Sequence, residues 1–332
     1  IKEFSNMNSV INQSLLDPLS EYLPIFEKVY SDTLQSKVKL INRVIKYISR
    51  KKGKQLRPAL CLLSAKLCGD PTENTYKAAA LIEMIHVATL IHDDVVDGAH
   101  IRRGWPSVNR IWKNKLAILV GDYMFSKALT NMIQIRDFDA LNILSLTAER
   151  LSQGEIMQIE KVIKKEMTEE TYYQMVCDKT ASLFSASCEL GCITVVKDSK
   201  KRKALSNFGE KFGLVFQIRD DLLDIVGNIN DLGKPTNFDL KKNMQTLPLI
   251  YIMNKLSNGE SRKLKQTLNY HMKRSELIAI RNLIEDEGGI EYATKKIKSF
   301  SDQAYEDLSI FPDSIYKETL LSILSFNLDR IK

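Results

Sequence analysis

The stretch IHDDVVDGAHIRRGW, residues 91–105, places three aspartates shortly before two adjacent arginines. On a helix, at about 100° per residue, Asp93 and Asp97 fall on one stripe with Asp94 beside it. Carboxylates at this density repel one another strongly unless cations bridge them. Mg²⁺ prefers such all-oxygen ligation and usually keeps water or phosphate oxygens in its shell. This stretch alone leaves two interpretations open, a magnesium site and a solvated helix end.

A second stretch, GEKFGLVFQIRDDLLDIVG at residues 209–227, repeats the same spacing with Asp220, Asp221 and Asp224. Gln217 falls on the same face of the predicted helix. Two such triads in one chain could face each other across a helical bundle, and two independent coincidences of this kind are improbable. Together they predict a site that holds several metal ions and a diphosphate.

Basic residues supply a candidate anion site in the stretch GKQLRP, residues 53–58. Gly53 allows close approach of the backbone, while Lys54 and Arg57 stand just before a helix that Pro58 is predicted to open. A helix N-terminus and two cations favour a phosphate. His86 lies on the same helix as the first triad, where a histidine on an apolar face is more often a core residue.

Further cations follow each aspartate triad or lie between the triads. Arg102 and Arg103 come one or two turns after the first triad, and their guanidinium groups suit bidentate contact with diphosphate oxygens. Lys179 with Thr180, and Lys234, add two more cationic points. A lone lysine is usually solvated, but the whole set predicts two diphosphate sites, one bound through metal and one held by Lys, Arg and His.

Helices must position all of these residues. The 332 residues are 44% hydrophobic and include only 14 glycines and 8 prolines, which favours helices over sheets. No repeat and no long linker is visible, so we expect one all-α domain over residues 1–332. The helices are predicted at about 40–48, 58–68, 76–97, 116–135, 138–163, 168–193, 203–226, 243–255, 260–269, 275–285, 289–309 and 314–330.

Composition limits the other function classes. The net charge of +7 suits an anionic substrate or a membrane surface. The basic stretch at 196–205 has no interleaved aromatic residues, so we expect a solvated helix junction and no nucleic-acid partner. The five cysteines include no Cys-x-x-Cys pair and predict reduced core residues. Neither a signal peptide nor a transmembrane segment is visible, and we expect a cytoplasmic protein.

Taken in order, the motifs resemble those of the trans-isoprenyl diphosphate synthases, the polyprenyl synthetases. They are GKQLRP, HxxxLIHDDVVDxxxxRRG, GDY (121–123), GEIMQ (154–158), KTA (179–181), FQIRDDLLD and GKPTNFDL, and the match runs from about residue 40 to the C-terminus. The resemblance implies a helical bundle around a deep central cavity. It also implies head-to-tail condensation of isopentenyl diphosphate with an allylic diphosphate to give an all-trans polyprenyl diphosphate.

The resemblance assigns a role to each matching residue. About three Mg²⁺ ions would bridge the allylic diphosphate, with Asp93, Asp97 and Asp220 as direct ligands and Asp94, Asp221 and Asp224 binding directly or through a neighbouring ligand. Isopentenyl diphosphate would be held by Gly53, Lys54, Arg57, His86 and Arg103. The allylic substrate and the cation that develops on it would meet Arg102, Lys179, Thr180, Gln217 and Lys234, the first four being the expected catalytic residues.

Two positions depart from the family pattern. The family often has Gly-Lys before Thr-Leu-Pro, where this chain has Asn243-Met244, so one expected lysine contact to the allylic diphosphate is absent. Lys241 or Lys242 could substitute for it. Asn237 replaces a glycine in the preceding loop, a milder change because asparagine tolerates left-handed conformations.

Product length in this family depends on bulk below the first aspartate motif. Ala88 and Thr89, about one helical turn before Asp93, are both small and leave room for the growing tail to pass towards Ile85. Leu144 and Thr147 on another helix are candidates for the next barrier. We therefore predict a product longer than farnesyl diphosphate, and favour a long chain of the kind used in quinone side chains over a geranylgeranyl product.

Other enzymes and assemblies are weaker alternatives. A terpene cyclase or head-to-head synthase would not need the separate GKQLRP and Arg102-Arg103 anchors, and a di-iron bundle would need Glu-x-x-His pairs, which are missing. A non-catalytic subunit of a heteromeric synthase stays open because of Met244. The family and the apolar helix around 116–135 imply a homodimer. A hydrophobic polyprenyl product implies transient association with a membrane.

Overall fold

The computed structural model describes residues 15–50, 53–226, 244–268 and 272–329. Over these residues the chain is almost entirely helical, and the all-α prediction is confirmed. Among the described helices, none combines the length and the apolar character needed to cross a membrane.

The helices follow one another through short connections. They are α1 (Tyr22–Thr33), α2 (Lys39–Ser49), α3 (Leu56–Cys68), α4 (Glu73–Val96), α5 (Val108–Ile135), α6 (Phe138–Lys164), α7 (Glu169–Val176), α8 (Ser182–Ile193), α9 (Ser199–Val226), α10 (Leu247–Lys255), α11 (Asn258–Thr267), α12 (Arg274–Asp286), α13 (Gly289–Asp307) and α14 (Ile315–Asp329). A π turn, Cys177–Ala181, joins α7 to α8, and two short strands, β1 (Ile101–Arg102) and β2 (Trp105–Pro106), pair as an antiparallel hairpin.

Contacts between residues cluster into two compact units. The first contains residues 1–148, 183–206 and 308–323, and the second contains residues 149–182, 207–307 and 324–332. The expected single domain over residues 1–332 stays a prediction.

Helix α4 is the centre of the first unit. It packs against α5, α3 and α1, and its residues from Ala78 to Ile85 are all buried. A helix that is apolar around its whole circumference is a core helix, as the sequence predicts for this one. Thr72 begins α4 with a capping box, since its side chain accepts from the Thr75 amide and the Thr75 side chain accepts from the Thr72 amide. The first aspartate triad lies at the other end of α4.

The second unit is held by an apolar cluster around the C-terminal end of α9. Ile225, Leu249, Ile252 and Ile284 from α9, α10 and α12 are among its most buried members. Ile225 directly follows Asp224 in the chain. The end of α9 that carries the second aspartate triad is therefore anchored in a packed core.

Three features of the first unit were not predicted. Helix α1 was missed, although Pro24 at its third position is compatible with a first turn. Helix α5 begins at Val108 and not at about 116, because it continues across a kink at Lys113, whose φ is 70°. The β1–β2 hairpin was also missed. It carries both arginines that follow the first triad, Arg102 on β1 and Arg103 in the turn.

Candidate active site

The middle carboxylate of the first triad is bound by the protein itself. Asp94 is 2% exposed and accepts a hydrogen bond from Arg102 Nε at 2.6 Å. Its backbone oxygen accepts from Asn109 Nδ2 at 3.0 Å. Burial raises the pKa of Asp94 and the charge of Arg102 opposes that rise. Asp93 is only half-buried and Asp97 is exposed, so the two outer aspartates are the ones open to a ligand.

The hairpin explains how Arg102 returns to this triad. Arg103 and Gly104 form its turn with φ values of 51° and 74°, the positive angles that a type I′ hairpin turn requires. Ser107 closes the loop, since its amide donates to His100 O at 3.0 Å. The two arginines are consequently held in different ways: Arg102 pairs with Asp94, while Arg103 extends from the turn.

Arg103 meets the predicted isopentenyl diphosphate residues of the first unit. Its guanidinium lies directly against Gly53. Arg57 Nη1 lies 3.2 Å from His86 Nε2, and the Arg57 guanidinium stacks 4.2 Å from the centre of the Phe184 ring. Gly53, Arg57, His86 and Arg103 thus lie together in a cationic pocket, and Lys54 is exposed. Their binding of isopentenyl diphosphate stays a prediction.

The His86 ring is neutral in this pocket. Burial, together with the positive charges of Arg57, Arg103 and Arg102, holds the pKa of His86 well below its usual value. A neutral imidazole can accept the Arg57 N–H at Nε2 and keep the other ring nitrogen protonated as a donor. The ring can therefore orient Arg57 without adding a further positive charge.

Glu83 is a buried carboxylate on α4 that the sequence analysis did not identify as a site residue. It is 8% exposed and lines a cavity of about 420 Å³ together with Gly53, Gln55, Tyr30 and Arg103. Burial raises the pKa of Glu83, and the charges of the neighbouring arginines oppose that rise. The cationic pocket thus has a countercharge of its own, which no local sequence pattern indicates.

In the second triad the middle carboxylate is again held by the protein. Asp221 is 5% exposed, and its two oxygens accept from Tyr172 Oη at 2.6 Å and from Gln217 Nε2 at 2.8 Å. Burial raises the pKa of Asp221 to about 7, against the effect of these two hydrogen bonds. Asp220 is exposed and Asp224 half-buried. Both triads therefore share one arrangement, with a buried, hydrogen-bonded middle aspartate between two more accessible ones.

The predicted cation-stabilising residues of the second unit lie together beside this triad. Thr180 Oγ1 donates to Gln217 Oε1 at 3.0 Å, and Lys179 Nζ contacts Gln158 Oε1 at 3.0 Å and Glu155 Oε2 at 2.5 Å. Lys179, Thr180, Gln217, Asp221 and Met244 line one small cavity of about 90 Å³. Met244, the residue that departs from the family pattern, thus lines the same cavity as three of the four predicted catalytic residues, Lys179, Thr180 and Gln217.

The outer aspartates have the donor chemistry of a magnesium site. Within the described ranges, no three His, Cys, Asp or Glu side chains form a cluster that could hold a metal ion on their own. Mg²⁺ typically takes one or two carboxylates and completes its shell with water and substrate phosphates. Accessible, paired carboxylates at Asp93 and Asp97, and at Asp220 and Asp224, fit an ion shared with a diphosphate.

The remaining predicted residues divide into two groups. On α4, Ala88 is fully buried, Ile85 is 3% exposed and Thr89 is half-buried, with its hydroxyl donating to His86 O at 2.8 Å. Leu144 and Thr147 on α6 are buried. Lys234, Asn237 and the stretch 241–243 lie outside the described residues.

Comparison with known proteins identifies the class. The sequence model of the polyprenyl synthetase family matches residues 38–285, so the chain belongs to that family. It is a prenyltransferase, and the resemblance seen in its motifs is confirmed. The family uses divalent metal ions to bind diphosphates.

The similar proteins include makers of long prenyl chains. An all-trans-nonaprenyl-diphosphate synthase (geranyl-diphosphate specific) of Rhodobacter capsulatus is 33% identical over 96% of this chain and 98% of its own length. The octaprenyl diphosphate synthase of Escherichia coli is 31% identical over 90% of this chain and 93% of its own length.

Solved structures agree with these sequence matches. A decaprenyl diphosphate synthase from Rhodobacter capsulatus superposes with a TM-score of 0.91 at 30% identity, covering 97% of this chain and 99% of that one. A polyprenyl synthase from Caulobacter crescentus, complexed with calcium and isoprenyl diphosphate, gives a TM-score of 0.89 at 29% identity, covering 97% and 98%.

Proposed function

We propose that this prenyltransferase adds isopentenyl diphosphate head-to-tail to an allylic diphosphate and extends it to a long all-trans polyprenyl diphosphate. The observation that carries the proposal is the repeated triad, in which a protein-held middle aspartate leaves two accessible carboxylates. The cationic pocket of Gly53, Arg57, His86 and Arg103 supports a second anion site. A reaction between two diphosphates needs both.

Asp93, Asp97, Asp220 and Asp224 would hold about three Mg²⁺ ions. Bound there, the ions would supply charge that neutralises the leaving diphosphate of the allylic substrate. Asp94 and Asp221 keep their hydrogen bonds to Arg102, Tyr172 and Gln217 and fix the helix ends that carry the outer carboxylates.

The chain's own cations and dipoles support the remaining steps. Lys179 and Arg102 stabilise the negative charge that collects on the departing diphosphate when the allylic C–O bond breaks. Thr180 and Gln217 direct oxygen dipoles at the resulting carbocation. The isopentenyl double bond then attacks to form the new C–C bond, and the released diphosphate takes the proton whose loss restores an allylic product.

The long product is supported by the small residues before the first triad. Ala88 and Thr89 place no bulky ring on α4 near Asp93, and Ile85 follows one turn further back. The nonaprenyl and octaprenyl synthases among the similar proteins agree with a long chain. A geranylgeranyl product is the shorter alternative, and the named long-chain relatives do not favour it.

A second copy of the chain is the proposed partner. Helix α5 exposes a series of large apolar side chains, among them Ile118, Leu119, Leu129 and Ile133. Exposed apolar surface of this extent along one helix is typical of a protein–protein interface. A homodimer would cover it.

One incubation tests the proposed function. The protein is mixed with Mg²⁺, isopentenyl diphosphate and, in separate tubes, geranyl, farnesyl or geranylgeranyl diphosphate, and the products are sized by mass spectrometry. We expect a long polyprenyl diphosphate, and its absence from an Asp93→Asn, Asp97→Asn double variant. Release of cyclic hydrocarbons, or no condensation with any primer, would contradict the proposal.

A further inference from the structure

The turn that carries Lys179 and Thr180 is unusual in its backbone. Helices α7 and α8 join through a π turn, Cys177–Ala181, in which the Ser182 amide donates to Cys177 O five residues back. π turns are rare and often occur at functional sites. The sequence CDKTA contains neither proline nor glycine, so contacts from elsewhere in the fold must stabilise this turn.

Asp178, which lies within the turn, receives these contacts from residues outside it. Although it carries a carboxylate, it is 4% exposed. One of its oxygens accepts from Arg150 Nε at 2.7 Å and the other from Gln174 Nε2, also at 2.7 Å. Its backbone oxygen accepts from Ser182 Oγ at 2.6 Å. Hydrogen bonds between charged groups are the strong ones. Asp178 therefore ties the turn to α7 through Gln174, to α8 through Ser182 and to α6 through Arg150.

Arg150 connects the turn to two further helices. It lies on α6, and its Nη2 also pairs with Glu210 Oε1 on α9 at 3.2 Å. The hydrogen bonds to Asp178 and Glu210 raise the pKa of Arg150 against the opposing effect of burial. One turn further along α6, Gly154 lies so close to the π turn that a Cβ atom there would stand 2.5 Å from Lys179 N. Helix α6 and the π turn are thus in direct backbone contact.

We propose that Asp178 and Arg150 are positioning residues for the proposed reaction. They hold the π turn against α6 and α9 so that Lys179 and Thr180, the next two residues, point into the cavity beside Asp221. Neither Asp178 nor Arg150 is among the residues that line this cavity. The proposal rests on the proposed function for the identity of the substrate, an allylic diphosphate.

The test compares Asp178→Asn and Arg150→Lys with a matched control. The control is Glu189→Gln, which lies away from the turn. Glu189 accepts a hydrogen bond from Arg202 Nε at 2.7 Å, the same distance as between Asp178 and Arg150 Nε. We expect the two turn variants to lower kcat/KM for geranyl diphosphate on the order of 10- to 100-fold, the usual effect of a small misplacement. The KM for isopentenyl diphosphate and both parameters of the control should stay within about twofold.

A double-mutant cycle separates positioning from general damage to the fold. If Asp178 acts through Lys179, then Asp178→Asn should cost less than about threefold in a Lys179→Ala background. The same 10- to 100-fold loss in that background, or an equal loss for both substrates, would overturn the proposal. Arg150→Lys keeps a positive charge between Asp178 and Glu210, so it tests the geometry even where Asp178→Asn unfolds.

A binding measurement keeps this result apart from failure of the proposed function. Wild-type protein that makes no product with any primer would refute the synthase, whatever the variants do. Calorimetric titration of inorganic pyrophosphate with Mg²⁺ then tests the turn alone. Binding at least about tenfold weaker in Asp178→Asn supports positioning, whereas equal binding, or none in the wild type, overturns it.

Discussion

Gly53 lies against the guanidinium group of Arg103, so that a Cβ atom on Gly53 would stand 2.5 Å from Arg103 Nη2 and 2.6 Å from Nη1. Real Cβ atoms essentially never come this close to another atom. The absence of a side chain at residue 53 therefore sets the position of one arginine of the cationic pocket.

Gly53→Ala should weaken binding of isopentenyl diphosphate without unfolding the protein. The displaced group is the end of a flexible side chain, so the protein can adjust at small cost, but Arg103 loses its position. Loss of one charge-assisted contact predicts a rise in KM for isopentenyl diphosphate on the order of tenfold. Gly259→Ala is the matched control, because a Cβ there meets nothing within 4 Å. Steady-state kinetics that leave KM unchanged in Gly53→Ala would contradict the expected role.

Tyr172→Phe should destabilise the second unit at Asp221. Tyr172 is 1% exposed, and its hydroxyl is one of two donors to that buried carboxylate. Removing one of two hydrogen bonds to a buried carboxyl group predicts a loss of about 1–3 kcal/mol in the free energy of unfolding, measured with denaturant. Tyr305→Phe removes an exposed hydroxyl bonded to Ser325 and should change it by less than about 0.5 kcal/mol. Similar losses in both variants would refute this prediction.

His86→Gln should change how stability depends on pH. The pKa of His86 is lowered in the fold from a usual value of 6.5 by burial and by three arginines. Below pH 6.5 the unfolded chain binds a proton that the folded protein does not, so the stability of the wild type falls as pH falls. The slope from this group is at most about 1.4 kcal/mol per pH unit. Glutamine can still accept from Arg57 and does not titrate.

The measurement is the melting temperature of His86→Gln and wild type between pH 7 and pH 5. The difference between the two proteins should shift in favour of the variant as pH decreases. His100→Gln, at an exposed position, is the control and should follow the wild type. Parallel curves for His86→Gln and wild type would show that the histidine does not contribute.

The sequence was sufficient for the features that depend on local spacing. The triads at residues 93–97 and 220–224 and their helices follow from periodicity alone, and α4 and α9 end within a few residues of the predicted positions. The hairpin at Arg102 was not predictable in this way. Its turn needs positive φ at Arg103, and Arg-Gly is not among the turn pairs, such as Asn-Gly, that signal a type I′ turn.

Hydrogen-bond partners that come together only through tertiary packing could not be predicted from the sequence either. Tyr172 and Asp221 are 49 residues apart in the chain, and nothing near either residue indicates the other. Arg150 and Asp178 are 28 residues apart, and the π turn between α7 and α8 leaves no trace in the helical pattern. The sequence therefore indicated the candidate substrate-binding residues, whereas the structure was needed to find the side chains that hold several of them in place.

Thr89→Phe should shorten the product. Thr89 is half-buried on α4, one turn before Asp93, where a ring would narrow the proposed path of the growing tail towards Ile85. Mass spectrometry should show a distribution shifted to fewer isoprene units at similar total turnover. Thr294→Phe is the control, since Thr294 is an exposed helical threonine with a similar bond to a backbone oxygen. An unchanged product distribution in Thr89→Phe would refute the assignment of Thr89 to product length. Ala88 is buried and less suitable for this test, because a phenyl ring there would overpack the core.

Met244→Lys should strengthen binding of the allylic substrate. Met244 lines the same small cavity as Lys179, Thr180, Gln217 and Asp221, so a lysine at this position would bring an ammonium group to the proposed diphosphate site. One added cation near a diphosphate predicts a several-fold lower KM for geranyl diphosphate. This effect should be smaller at high salt, because screening weakens the interaction of partly exposed charges.

Asn258→Lys adds the same charge at an exposed position outside that cavity and should leave KM unchanged. Equal effects of the two lysines would mean that net charge alone is responsible. A higher KM in Met244→Lys would mean that the cavity needs an apolar side chain at residue 244, and that the departure from the family pattern serves this enzyme's own substrate.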